Sequence, residues 1–141
     1  MTRPSPFLRL LVRRRAGGRC EYCGIHEADG RFSHQVDHIL ASKHQGSTRA
    51  DNLALSCIIC NRRKGSDTSS VDPTTGRIVR LYHPRRDRWT DHFAVRAARI
   101  VGRTSRGRAT EMLLRLNELA RVEERRAQLM AGRWHPPSPG R

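Results

Sequence analysis

Residues 57–65 read CIICNRRKG, and a second cysteine pair with the same spacing occurs in CEYC at residues 20–23. Two residues between thiolates let a tight turn direct both sulfurs at one ion, and two such pairs complete the tetrahedron that zinc prefers. A redox dithiol needs only one pair, usually within a thioredoxin-like pattern that this chain lacks. The spacing therefore predicts a structural zinc site, closed to substrate, formed by Cys20, Cys23, Cys57 and Cys60.

The segment between the two cysteine pairs carries side chains that suit metal-assisted hydrolysis. It is 33 residues long and contains VDHIL at residues 36–40. Asp37 is a hard oxygen ligand for Mg²⁺ or Mn²⁺, and His38 can take a proton from water near neutral pH. Asn61 adds a second oxygen ligand beside the zinc site, and Lys64, on the same helical face, could meet a phosphate. Each residue alone also has a common structural explanation, such as a surface hydrogen bond or a helix cap.

The composition predicts a polyanionic partner. The chain has 28 Lys and Arg residues against 13 Asp and Glu residues, a net charge of +15. Such an excess attracts phosphate backbones without regard to sequence, whereas a genomic preference for arginine would replace lysine without raising the net charge this far. Aromatic residues make up only 5% of the chain, which argues against recognition of single strands by base stacking.

The start of the chain predicts a cytoplasmic protein with no membrane partner. Its short apolar run is interrupted by Arg9 and followed by three more arginines. A secretory signal needs about 7–15 apolar residues in a row, and a membrane span needs about 20. In a reducing compartment, four cysteines are expected to bind metal and not to form disulfides.

Local patterns divide the chain into four regions: a basic helix or arm at 1–18, a zinc-binding domain that holds the candidate catalytic residues at 19–70, an extension at 71–131 and a disordered tail at 132–141. Proline and glycine signals predict a helix at 6–15, with a solvated arm as the alternative. Turn formers fill residues 66–76. Apolar patterns predict strands at 32–36, 53–56, 78–82 and 97–101 and a helix at 58–65. After residue 105 they predict one amphipathic helix, which Asn117 could interrupt.

The ordered set of motifs resembles the HNH endonucleases, the ββα-metal finger group. The resemblance runs from CEYCG at 20–24 through VDHI at 36–39 and Asn52-Leu53 to CIICNRRKG at 57–65. It implies an α+β fold in which two antiparallel strands and a helix surround one catalytic metal ion. The four-cysteine zinc site would staple this finger, and short strands plus an amphipathic helix would follow as the extension.

The same resemblance implies a role for each polar residue of the set. Asp37 and Asn61 would bind the catalytic Mg²⁺ or Mn²⁺, and His38 would be the general base. Asn52 would hold the loop and orient His38. The residues expected to contact nucleic acid are Arg62, Arg63 and Lys64. Because the family carries a histidine where this chain has Asn61, the neutral amide should hold a divalent ion less tightly.

We therefore predict a divalent-metal-dependent DNA endonuclease that makes nicks or double-strand breaks. Two alternatives remain: a non-catalytic zinc-ribbon module that binds nucleic acid, and an RNA-directed protein. The order of Asp37, His38, Asn52 and Asn61 favours the enzyme, because a binding module does not need these residues. An uncompensated carboxylate would in fact repel phosphate. A monomer and a homodimer are both compatible with the sequence.

Overall fold

The structure is a computed structural model that describes residues 3–138. Within this range the chain forms a small α+β fold of short antiparallel strand pairs and helices. The helices are α1 (Pro6–Arg15), α2 (Ile58–Lys64), α3 (Trp89–His92), α4 (Ser105–Leu114) and α5 (Leu119–Met130). The strands are β1 (Gln35–His38), β2 (Leu53–Ser56), β3 (Ser69–Val71), β4 (Ile78–Arg80), β5 (Phe93–Arg96) and β6 (Arg99–Gly102). Consecutive strands pair two by two as antiparallel hairpins. No helix in residues 3–138 combines the length and apolar character needed to cross a membrane.

Helix α1 is anchored to the fold. Ser5 Oγ accepts a hydrogen bond from Leu8 N at 3.2 Å, and a proline fills the first helical position. Val12 is fully buried in a small cluster with Leu53 of β2. The helix predicted at 6–15 is therefore confirmed, and the alternative of a solvated arm is wrong.

Strands β1 and β2 form the hairpin between the cysteine pairs. Strand β2 has the predicted bounds and is buried along its whole length. Strand β1 lies further along the chain than the predicted 32–36, because its pairing with β2 extends to His38 opposite Leu53. Phe32 lies outside the strand and is 63% exposed. The apolar residue that suggested an earlier start is therefore not part of the core.

Helix α2 follows β2 directly and is capped at both ends. Cys57 Sγ accepts a hydrogen bond from Cys60 N at 3.4 Å, and Gly65 ends the helix with a φ of 53°. Glycine adopts positive φ values at little cost. The helix predicted at 58–65 is confirmed, and its start fixes the second cysteine pair.

The extension begins with a hairpin that composition does not reveal. Turn formers fill residues 66–76 and gave no sign of a strand, but Ser69–Val71 pairs with Ile78–Arg80. The buried carboxylate of Asp72 organises the turn, accepting a hydrogen bond from Thr74 N at 3.0 Å. Asp72 also accepts two hydrogen bonds of 2.9 Å from Arg108 of α4. These contacts fasten the hairpin to α4.

The strand predicted at 97–101 is displaced in the structure. Ala97 and Ala98 have φ values of 47° and 68° and form the two-residue turn between β5 and β6. Such a turn usually contains Asn-Gly, because both central residues need positive φ. Two alanines give no sign of it, so the predicted strand starts two residues too early: residues 97 and 98 form the turn, and residues 99–101 belong to β6.

The amphipathic pattern after residue 105 belongs to two helices. Arg115 ends α4 with a φ of 50°, and α5 begins at Leu119. Asn117 lies in the break, as the sequence suggested. Its Oδ1 accepts a hydrogen bond from Ile100 N at 2.8 Å, and its Nδ2 donates to Ile100 O at 2.7 Å. The side chain therefore fixes the interhelical turn to the backbone of β6.

The main core joins the cysteine pairs to the extension and to the chain beyond it. The buried aromatic residues around the cysteines are Tyr22, Tyr82, Trp89, Phe93 and Trp134. Trp134 is 6% exposed, and its Nε1 donates a hydrogen bond to Cys23 O at 3.1 Å. The prediction of a disordered tail from residue 132 is therefore wrong at Trp134, and its last three residues, 139–141, lie outside the described residues.

Candidate metal centre and active site

The two cysteine pairs converge on one buried point. The Sγ atoms of Cys20, Cys23, Cys57 and Cys60 all lie within 4.8 Å of one another. A tetrahedron with Zn–S bonds of about 2.3 Å has sulfur–sulfur edges of about 3.8 Å. Cys23 Sγ and Cys57 Sγ are 3.8 Å apart. The four sulfurs therefore fit a zinc ion, and among residues 3–138 no other group of three or more His, Cys, Asp or Glu side chains could hold a metal.

A buried arginine of α5 reaches this cysteine cluster. Arg121 Nη2 donates to Cys23 Sγ at 2.8 Å and lies 3.6 Å from Cys57 Sγ. Four thiolates around Zn²⁺ would leave a net charge of about −2, which is costly to bury without a nearby cation. Burial acts to lower the pKa of Arg121, but the neighbouring thiolates more than reverse this effect and raise it. The guanidinium is therefore well placed to offset the charge of a zinc–thiolate centre.

Strand β1 presents Asp37 to helix α2. Gln35 and Asp37 lie on the same face of the strand because side chains alternate along it. Gln35 Oε1 accepts a hydrogen bond from Asn61 Nδ2. Burial raises the pKa of Asp37, while the charges of Lys64 and then His38 act to lower it. The structure thus brings Asp37 and Asn61 to the same β1–α2 interface.

Lys64 supports this interface from inside the protein. Its side chain is 3% exposed, and its Nζ donates a hydrogen bond to Ile39 O at 3.0 Å. Burial lowers the pKa of Lys64, and the nearby charges of Asp37 and Asp67 oppose that shift. The predicted contact between Lys64 and nucleic acid is therefore corrected, because the buried ammonium holds the backbone that follows His38.

His38 is the last residue of β1, at the point where the strand becomes a loop. Its Nε2 lies 2.9 Å from Thr48 Oγ1, within hydrogen-bonding distance. A histidine held through one ring nitrogen keeps a defined orientation while the other nitrogen exchanges a proton. The two ring nitrogens of His38 therefore have different surroundings.

Asn52 closes the loop between β1 and β2. Its Oδ1 accepts a hydrogen bond from Leu40 N at 2.9 Å, and its Nδ2 donates to Leu40 O at 3.0 Å and to Ser47 O at 2.7 Å. The backbone of Asn52 also accepts a hydrogen bond from Ile39 N at 2.8 Å. These bonds fix both ends of the segment that carries Thr48, the partner of His38.

We expect replacement of Asn52 by alanine to destabilise the fold by about 2 kcal/mol, because three side-chain hydrogen bonds disappear and each contributes about 0.5–1.5 kcal/mol. Asn52→Asp is the isosteric comparison. It keeps the acceptor for Leu40 N but turns a carboxylate toward two carbonyl oxygens, so it should be no more stable than Asn52→Ala. Urea unfolding measures both variants. Wild-type stability in Asn52→Ala would show that the loop does not depend on this side chain.

The two arginines that follow Asn61 differ in what they contact. Arg62 is exposed on α2. Arg63 donates to Leu114 O and Arg115 O at 3.2 Å each, and to Glu118 Oε1 at 2.8 Å. The guanidinium of Arg63 thus binds the turn between α4 and α5, and its contact with nucleic acid stays a prediction.

A buried ion pair supports the first cysteine turn, and the sequence pattern gave no indication of it. Glu21 Oε2 accepts a hydrogen bond from Leu55 N at 2.8 Å, and Glu21 Oε1 pairs with Arg85. Burial, and then the charge of Arg15, lower the pKa of Arg85 to about 9. A glutamate between the two cysteines of a Cys-x-x-Cys motif is usually expected to be exposed, so the sequence does not predict that Glu21 is buried against Arg85.

Comparison with known families supports the interpretation of this region. Residues 20–67 match the family model of the HNH endonuclease. These residues are an HNH endonuclease domain. The domain contains both cysteine pairs, the β1–β2 hairpin and α2. The resemblance inferred from the ordered motifs is therefore confirmed, and so is the small α+β fold.

Over a range longer than the HNH residues, the chain is also similar to the Septu protein PtuB of Bacillus thuringiensis. The two are 24% identical over 120 residues, which is 84% of this chain and 44% of the relative. The chain therefore spans less than half the length of this relative. No solved structure matches the chain.

Proposed function

We propose that this protein is a divalent-metal-dependent DNA endonuclease in which His38 is the general base. The observation that carries the proposal is the position of His38 within the HNH domain. It ends β1 beside Asp37, and Thr48 holds its Nε2. A histidine at a strand end can act on a substrate outside the hairpin while its backbone remains fixed by the sheet.

His38 would take the proton from the water that attacks the scissile phosphorus. The Thr48 contact at Nε2 keeps the ring in one orientation, so Nδ1 is the atom that would accept this proton. Asn52 affects His38 indirectly. Its hydrogen bonds to Leu40 and Ser47 fix the loop from which Thr48 contacts the imidazole ring. Asn52 is therefore a positioning residue and His38 the catalytic one.

Asp37 and Asn61 would hold the catalytic Mg²⁺ or Mn²⁺. Asn61 uses its amide nitrogen to bind Gln35, which leaves its amide oxygen as a donor for a cation. Two protein oxygens suffice for Mg²⁺ when water and a substrate phosphate complete its octahedral shell. When bound, the ion would polarise the phosphate and relieve charge on the leaving oxygen.

DNA is the proposed substrate, and Zn²⁺ in the four-cysteine site is proposed as a purely structural ion. The net charge of +15 favours association with a phosphate backbone. The closed set of four thiolates leaves no position for substrate on the zinc, so the chemistry belongs to the region around His38.

The test is nicking of supercoiled plasmid by zinc-loaded protein in Mg²⁺, in Mn²⁺ and in EDTA. We expect wild type to relax the plasmid only with added divalent metal. We expect His38→Ala to cut about 10²–10⁴-fold more slowly, the usual contribution of a general base, while it binds DNA as wild type does. His44→Ala removes an exposed histidine of the same loop and should cut normally.

One observation favours the alternative of a non-catalytic nucleic-acid-binding module. The charge of the buried Lys64 ammonium acts against the rise that burial causes in the pKa of Asp37, so one cation already lies near this carboxylate without a metal. Folded wild type that binds DNA and leaves plasmid intact in both metals would support this module. Equal cutting by wild type and His38→Ala would instead remove His38 from the mechanism.

A further inference from the structure

A basic cleft separates the HNH domain from the extension. Its volume is about 1000 Å³, the upper end of the range for small-molecule sites. One wall is the loop between β1 and β2, including Leu40, Ser47 and Asn52, and the other is β4 with the chain that follows it to Arg86. The cleft therefore combines residues inside the matched HNH segment with residues beyond it.

The charge of the cleft lining is strongly positive. Five Arg or Lys residues and two Asp residues line it. Lys64 donates its hydrogen bond to Ile39 O, and Arg85 pairs with Glu21, as described above. Arg49, Arg80 and Arg86 are exposed, so their guanidinium groups remain accessible to a ligand. An open cleft with several accessible guanidiniums and little opposing charge suits a polyphosphate chain.

The cleft lies beside the proposed catalytic histidine. Ile39 and Leu40, the residues directly after His38, line it. Ser47 and Arg49 also line it, and they flank Thr48, whose hydroxyl contacts His38. A strand seated between the two walls would therefore pass along the loop that holds His38.

The arginines on the extension side sit on a rigid support. Arg80 belongs to the β3–β4 hairpin, which Asp72 fastens to α4. Arg86 lies in a turn fixed by His83, whose Nδ1 accepts hydrogen bonds from Arg85 N at 3.1 Å and from Arg86 N at 3.3 Å. Side chains on a pre-formed support lose less entropy when they bind a ligand.

We infer that this cleft binds the phosphate backbone of the DNA next to the cleavage site, with Arg49 from one wall and Arg80 and Arg86 from the other as phosphate contacts. The inference rests on the proposed function and assigns a substrate-binding role to the extension. Among residues 3–138, Tyr82 is the one Phe, Tyr or Trp residue in the cleft lining, and it is buried. The described lining therefore offers no exposed ring of this kind for stacking on bases, and we assign its contacts to the phosphate backbone.

The test compares two double variants in the His38→Ala background, in which bound DNA stays intact. Arg80→Gln with Arg86→Gln removes two charges from the cleft. Arg96→Gln with Arg99→Gln removes two exposed charges from the β5–β6 hairpin, outside the cleft lining. Affinity for a labelled DNA duplex is measured by fluorescence anisotropy across a salt series, and thermal melting checks that all proteins are folded.

We expect the cleft pair to bind at least tenfold more weakly and to make the negative slope of log K against log salt shallower by about 1.8, since each phosphate contact contributes about −0.9 to that slope. The control pair should change affinity less than threefold. Equal effects of the two pairs, or no effect of the cleft pair, would overturn the inference. Arg49→Gln, on the opposite wall, tests it independently and should weaken binding in the same way.

Failure of this inference and failure of the proposed function give different results. If wild type cuts plasmid and the two double variants bind DNA alike, only the cleft assignment is wrong. If wild type binds and does not cut while the cleft pair loses affinity, the cleft stands and the nuclease does not.

Discussion

Replacement of Cys60 by serine is expected to unfold the protein, which is the largest effect that we predict. A structural zinc ion contributes about 10–16 kcal/mol of binding free energy near neutral pH, as much as the whole stability of a typical domain. Cys60 is buried in the main core with the other three cysteines. In the zinc-free variant, three thiols, a serine hydroxyl and the cationic Arg121 would remain buried side by side, an arrangement that costs free energy.

Far-ultraviolet circular dichroism with thermal melting measures the loss of structure, and atomic emission measures zinc. We expect one zinc per wild-type chain, no cooperative melting of Cys60→Ser, and the same loss when a strong chelator strips zinc from wild type. Ser33→Ala changes an exposed residue of the same inserted segment and should melt as wild type does. A cooperative transition near the wild-type temperature in zinc-free Cys60→Ser would show that the cysteine cluster packs without a metal.

Replacement of Trp134 by alanine is expected to cost about 3–5 kcal/mol, the usual range for removal of a buried tryptophan. The ring packs on Trp89 with centroids 6.4 Å apart, and its Nε1 binds the carbonyl of Cys23. A Cβ atom on Gly24 would lie 2.8 Å from the ring, which shows how closely the ring covers the first cysteine turn. In a chain of this length, such a loss lowers the melting temperature by roughly 10 °C or more.

Two comparison variants separate the causes of this effect. Trp134→Phe keeps a smaller aromatic ring and loses the hydrogen bond, so it should lie between wild type and Trp134→Ala. Met130→Ala removes a side chain that is 83% exposed at the end of α5 and should leave the melting temperature unchanged. An unchanged melting temperature in Trp134→Ala would restore the prediction of a disordered tail.

The centre of the fold was predictable because local chemistry dictates it. The two cysteine spacings restrict where the chain can turn, and β2 is an uninterrupted buried segment that leads directly into α2. The N-cap of α1 and the glycine that ends α2 are signals read within four residues of the helix ends. Family resemblance added the order in which Asp37, His38, Asn52 and Asn61 occur, and their roles remain proposals.

The features that the sequence did not reveal depend on distant partners or on unusual turn residues. Lys64 and Arg63 belong to a basic run that suggests an exposed surface. In the structure Lys64 instead donates to the carbonyl of Ile39, and Arg63 donates to the turn between α4 and α5. Ala97 and Ala98 adopt positive φ without the residues that usually signal it. Trp134 stands in a segment rich in proline and glycine, and only its partner 111 residues away explains its burial.

Residues far along the chain cover Cys23, so the cysteine cluster acquires its full set of contacts only late in synthesis. Arg121 and Trp134 reach Cys23 across 98 and 111 residues, respectively. A ribosome releases both cysteine pairs well before α5, so the proposed zinc ion would first meet the four thiols without these two partners. Contacts of such long sequence separation form slowly, because the intervening loop must close first. Closure over the cysteines therefore follows synthesis of α5 and Trp134, and until then the nascent cysteine cluster lacks both contacts.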